Sequence, residues 1–237
     1  MKNRLFACSI GIVLIIFCYS CQKEISSNKV GETTQGAFTT LDGGSTTLNS
    51  VAEECGIFRT QTPGGWGAPP SGGNPGAYLH ANFAAAFPEG LSIGCYPGDF
   101  HVRFTSAQAI TDYMPAGGKP QPLANSYTDP SSSDLKNTLV DHVMALTLST
   151  GFDNYDPNFG QSEFNLGFMV IASGALQGLS VNEVLAEANM VLGGCGGNYS
   201  VSNLVNTLDQ INNNFVDGDG NDNGYLLCPG PRRITER

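Results

Sequence analysis

Apolar positions recur with helical spacing in five stretches of the chain. Leu79, Phe83 and Phe87 fall four residues apart, with Pro75 opening the segment and Pro88 stopping it. A shorter helix is capped by Thr105 or Ser106 and ends at Met114-Pro115. Leu135, Leu139, Val143 and Leu146 share one face of a third helix, which the pattern caps at Ser133 or Asp134 and closes at Gly151. Ser180-Val181-Asn182-Glu183 reads as a capping box ahead of Val184, Leu185, Ala188, Val191 and Leu192, and Gly193-Gly194 supplies a stop. The last helix runs from about Ser200 to Phe215 and presents Leu204, Val205, Leu208, Ile211 and Phe215.

Period-two alternation occurs in Leu91-Ser92-Ile93-Gly94-Cys95 and again in Phe100-His101-Val102-Arg103-Phe104, as in a two-stranded hairpin. Leu166 to Ile171 is a short apolar run, readable as a strand or as a buried turn. Gln61 to Pro70 and Ala116 to Ser132 are rich in Gly, Pro or Ser and read as irregular, although the first holds the only tryptophan, Trp66. A βαβ alternation is missing, so the expected class is α+β and α-rich: about five helices around a small antiparallel sheet or hairpin, joined by Gly/Pro-rich loops.

The N-terminus follows a different rule. Lys2 and Arg4 precede an apolar run from Leu5 to about Cys18, and Tyr19-Ser20-Cys21 then gives way to Gln22-Lys23-Glu24. The run is short for a bilayer span and has the layout of a secretory signal peptide, residues 1–20. Ser20 is small enough for cleavage, and Cys21 then resembles the lipidated cysteine of a bacterial lipoprotein, although Cys18 stands where a branched aliphatic residue is usual. That resemblance implies palmitate-type acylation of Cys21 and anchoring in a membrane, since two or more chains hold a protein stably. Gln22 in place of aspartate favours the outer membrane. A plain secretory signal with an incidental cysteine is the alternative.

Residues 21–54 are small and polar with few apolar anchors, a composition suited to a tether. Residues 55–228 form the expected single globular domain, and residues 229–237 a loose tail. Net charge is −10, and −12 once Lys2 and Arg4 leave with the signal; between Cys55 and Pro231 the cations are Arg59, Arg103, Lys119 and Lys136. So few positive groups disfavour nucleic-acid binding and attraction to anionic headgroups. After cleavage and acylation the remaining cysteines are Cys55, Cys95, Cys195 and Cys228, an even set consistent with two disulfides in an oxidising compartment. Of the three pairings, Cys55–Cys95 with Cys195–Cys228 would staple each end of the domain. A zinc site is the alternative, but CxxC pairs are absent and His80, His101 and His142 are scattered.

Gln61-Thr62-Pro63-Gly64-Gly65-Trp66-Gly67-Ala68-Pro69-Pro70-Ser71-Gly72-Gly73-Asn74-Pro75-Gly76-Ala77-Tyr78-Leu79, Phe87-Pro88-Glu89-Gly90-Leu91, Phe104 to Ile110, Tyr113 to Gly118, Ala145 to Leu148, Phe152-Asp153 and Val191 to Gly194 together resemble a secreted bacterial domain of surface and cell-envelope proteins. The resemblance implies one coherent envelope-associated module. It carries no catalytic or binding residues with it.

Candidate chemistry is sparse. Asp217, Asp219, Asn221 and Asn223, with Gly224 for the turn, match the first half of a calcium loop, while the twelfth position holds Gly230 rather than a bidentate glutamate. The stretch therefore reads as a weak calcium site or as a solvated Asn/Asp/Gly turn; Asp153-Asn154-Tyr155-Asp156 is a lesser acidic loop. Ser173 lacks a GxSxG elbow, and Asp141-His142 lie side by side in a helical pattern, which places them on a helix surface or edge. Trp66, Tyr78, Tyr96 and Tyr113 offer aromatic surface for a glycan or an envelope-protein partner, with Trp66 in its Gly/Pro loop read first as a core plug and, if exposed, as the first binding candidate. The expectation is a lipid-anchored, non-catalytic binding or structural domain, with a secreted hydrolase using unidentified carboxylates as the alternative.

Overall fold

A computed structural model describes residues 55–162, 164–218 and 222–229. The signal segment, Cys21, the tether and the tail from residue 230 lie outside them. The elements in order are α1 (Pro63–Trp66), α2 (Pro75–Ala86), β1 (Leu91–Gly94), β2 (His101–Phe104), α3 (Ala107–Tyr113), β3 (Tyr127–Thr128), α4 (Thr138–Tyr155), a 3₁₀ turn (Leu166–Phe168), β4 (Val170–Ile171), α5 (Val181–Gly193), α6 (Val201–Asn212) and β5 (Leu226–Leu227). The domain is α+β and helix-rich, as its pattern implies.

The organising element is α4. Leu139, Val140, Val143, Met144, Ala145, Leu146, Leu148 and Phe152 are all fully buried, so the helix is apolar around most of its circumference. A helix of that kind sits inside a fold rather than on its surface. It touches α1, α2, α5, α6, β1 and the 3₁₀ turn. Its limits differ from those expected. Asn137, not Ser133 or Asp134, is the cap, its Oδ1 accepting from Leu139 N at 3.1 Å. Asp134 instead closes a separate turn by accepting from Ser131 N at 2.9 Å, so two capping side chains compete and the later one starts the helix. Gly151 does not end α4; it lies within the helix and makes room for the Phe87 ring. The stop comes at Asp156, which Pro157 forces into an extended backbone.

Other helices follow their local chemistry. At α5 the capping box is complete: Ser180 Oγ accepts from Glu183 N, and Glu183 Oε2 accepts from Ser180 N at 2.7 Å. Asn74 and Ser200 cap α2 and α6. The α6 helix stops at Asn212, and Phe215 is buried in the turn beyond it, 5.3 Å from the Phe58 ring. The Gly/Pro-rich stretch around Trp66 holds one helical turn that the composition hid, because Thr62 caps it and Pro63 fits the first helical position.

The expected hairpin forms, with Leu91 opposite Phe104 and Ile93 opposite Val102 and all four buried. Strand β3 adds to β2 in parallel, an addition that two residues of sequence do not announce. The apolar run near Leu166 resolves into the 3₁₀ turn and then β4, which pairs antiparallel with β5.

The disulfide pairing corrects the expectation. Cys55 is joined to Cys228, and Cys95 to Cys195, with Cα separations of 6.0 and 6.3 Å. Both partnerships follow from tertiary packing. The start and end of the domain meet where Thr60 N donates to Phe215 O at 2.9 Å. The end of α5 rests on the hairpin turn, where Phe100 N donates to Gly193 O at 3.2 Å and Gly94 N to Asn189 Oδ1 at 2.7 Å. Any side chain at Gly193 would strike Cys95 and the Phe100 carbonyl, so glycine is what permits this contact.

Candidate functional site

A cleft lies along the polar side of α6. Leu204, Leu208 and Ile211 turn into the core. Asn203, Asn206 and Gln210 therefore share the opposite side at helical spacings of three and four. Facing them are Gly174 and Ala175, from the turn after β4, and Tyr225, which precedes β5. With Thr207 and Asp209 these residues enclose about 380 Å³, the size of a small-ligand site.

The far wall is held firmly. Tyr225 N donates to Asn214 Oδ1 and Asn223 Oδ1, both at 3.0 Å, and Tyr225 O accepts from Ala172 N at 2.9 Å. Its hydroxyl reaches Thr207 Oγ1 at 3.4 Å, which leans the ring across the groove. A Cβ on Gly174 would come within 3.5 Å of that hydroxyl. Asp209 Oδ1 accepts from Asn213 Nδ2 at 2.9 Å. The side-chain amides of Asn203, Asn206 and Gln210 bond to no other described residue. Each amide offers both donors and an acceptor.

A smaller cleft of about 180 Å³ lies at the end of α4, lined by Asp153, Asn154, Asp156, Gln161, Ser162 and Asn165 among others. Its carboxylates are pushed in opposite directions. Burial raises Asp153, against a bond from Leu166 N at 2.7 Å that lowers it. Asp156 is lowered by Asn158 N at 2.9 Å and the Tyr78 hydroxyl at 2.8 Å. Burial, reinforced by that bond, raises the Tyr78 phenol. These bonds fasten the loop after α4 to the helix end.

Of the sequence-derived metal residues, Asp219 and Asn221 lie outside the described residues. Asp217 Oδ1 accepts from Gln61 Nε2 at 2.8 Å, and Asn223 Oδ1 is engaged with Tyr225, so both of these oxygens serve the fold. Among the described residues no three His, Cys, Asp or Glu side chains gather as a metal site. Cys55, Cys95, Cys195 and Cys228 are all in disulfides, which removes them from the zinc alternative.

Asp141 is not a surface residue as its helical position implies. It is 3% exposed, and Oδ1 and Oδ2 accept from Ala116 N at 3.1 Å and Gly117 N at 2.7 Å, pinning the loop after α3. Burial raises its pKa and these bonds oppose that. His142 is half-buried, with Nδ1 enclosed and unpartnered among the described residues, and burial lowers its pKa against a smaller upward pull from Asp209. Trp66 is a core plug: its Nε1 donates to Ala145 O at 3.2 Å and Ser149 Oγ at 3.3 Å, within a cluster holding Phe152 and Phe159. Tyr113 is buried, whereas Tyr96 is exposed beside His101. Ser173 is exposed on the turn beside the α6 groove.

The groove amides were not among the sequence candidates. Their spacing was visible, but a row of Asn and Gln on a helix is equally the mark of a solvated face. Comparison with family models, curated proteins and solved structures finds no match.

Proposed function

We propose that this chain is a lipid-anchored cell-envelope protein that displays a binding domain on a tether. The observation that carries the binding role is the α6 groove, where three amides without partners among the described residues face a fixed tyrosine wall. The anchoring role rests on the Ser20-Cys21 junction and its resemblance to lipoprotein signals. The matching stretches from Gln61 to Gly194 support an envelope-associated module. Anchoring is tested in the producing bacterium with labelled palmitate. The wild-type chain should carry label and sediment with membranes, and Cys21→Ser should lose both properties. An unlabelled, soluble wild-type chain would overturn the anchor.

The α4 cleft favours a second reading, a secreted hydrolase, because oppositely shifted carboxylates in a concavity suit acid–base work. The binding reading takes precedence on geometry. The cleft is about half the volume of the groove, and both carboxylates already accept bonds that hold the loop. Release of reducing sugar or peptide ends by the purified chain, abolished in Asp153→Asn, would establish the hydrolase instead.

A further inference from the structure

Resting on the binding reading above, we infer that the α6 groove takes a neutral carbohydrate. The chemistry of its walls excludes most other ligands. None of Asn203, Asn206, Thr207, Asp209, Gln210 and Tyr225 is cationic, so a phosphate, sulfate or uronate has nothing to balance its charge. None of the four cations in the domain lines the groove; Arg59 lies over the Tyr78 and Phe159 rings and Arg103 donates to Glu89 O. Asp209 adds a negative group, which disfavours an anion further. A peptide partner needs apolar pockets for its anchoring side chains. The apolar side-chain groups in this lining are small apart from the Tyr225 ring, and among the described residues no aliphatic or second aromatic side chain larger than Ala175 joins it.

A sugar meets the remaining requirements. Neighbouring hydroxyls each donate and accept, and a planar amide supplies a donor and an acceptor to such a pair. Asn203, Asn206 and Gln210 repeat this group at steps of about 5 Å over a span of about 10 Å of α6, which suits successive sugar units. Asp209 accepts from hydroxyls. The Tyr225 ring, whose hydroxyl reaches Thr207 Oγ1 and whose backbone N–H donates to the side-chain oxygens of Asn214 and Asn223, offers an apolar face to sugar C–H groups. Because the wall is fixed before binding, little ordering cost falls on the protein.

The test uses the mature chain in a detergent without sugar headgroups, applied to an array of neutral hexose and N-acetylhexosamine oligosaccharides with sialylated and sulfated counterparts. At least one neutral oligosaccharide should bind, with its acidic counterparts weaker. Calorimetry on that oligosaccharide should show about threefold to tenfold weaker binding for Asn206→Ala and for Gln210→Ala. Both residues are exposed, so neither change should move the thermal midpoint. Tyr225→Ala should abolish binding; if it impairs folding, the two amide variants still decide the matter. A blank array, preference for acidic oligosaccharides, or unchanged affinity in Asn206→Ala/Gln210→Ala would overturn the inference. A photo-reactive group at position 206 separates the two failures. If it cross-links an envelope protein on intact cells while the array is blank, the sugar is wrong and the binding module stands. If it links to nothing and the array is blank, both fall.

Discussion

Trp66 shows how far a single residue can be read. A tryptophan among glycines and prolines is ambiguous between plug and binding surface, and only the location of Ala145 O and Ser149 Oγ decides it. Trp66→Phe should lower stability by about 1–3 kcal/mol, through a lost buried hydrogen bond and a poorer fit, measured by denaturant unfolding. An unchanged midpoint would place the side chain outside the core. His142 provides a test with pH. Burial holds its folded pKa below the unfolded value of about 6.5, so between those values the unfolded chain binds more protons. Stability should therefore rise as pH increases through that range, and His142→Gln should flatten this contribution. Asp141 and Asp153, raised by burial, act oppositely but are common to both proteins and cancel in the comparison. Neither the burial of Asp141 nor the enclosure of His142 was legible, because adjacent helical residues look alike until their neighbours are placed.

Elements were easier to read than residues, and for a physical reason: caps and periodicity act over a few residues. The α5 box was visible as Ser180 and Glu183, and Ser180→Ala should cost about 1 kcal/mol, read as a lower thermal midpoint with the fold retained. Helix α4 was legible in its apolar face but not in its start, because Asp134 and Asn137 are both competent caps. The loop from Asp217 to Asn223 had the composition of a calcium site, but Gln61 and Tyr225 each engage an oxygen of one of its four candidate residues, Asp217 and Asn223. Millimolar calcium and excess chelator should accordingly give the same thermal midpoint. A calcium-dependent rise, lost in Asp219→Ala, would show that the ion binds there after all.

At the scale of the whole molecule, sequence separation is the barrier. The hairpin and the helical composition were within reach, but Cys55–Cys228 spans 173 residues and Cys95–Cys195 spans 100. The groove suffers the same blindness, since Tyr225 and Gly174 reach α6 only through the pairing of β4 with β5. Non-reducing proteolysis with mass spectrometry should recover Cys55 linked to Cys228 and Cys95 to Cys195. Opening either bond should cost about 2–5 kcal/mol, because each closes a long loop. The claim on which the functional account turns is that Cys21 is the acylated first residue of the mature chain. Intact mass of the protein extracted from membranes tests it most directly. The account predicts a polypeptide beginning at Cys21 and heavier than residues 21–237 by its acyl groups. A bare Cys21, or a chain beginning elsewhere, would contradict it.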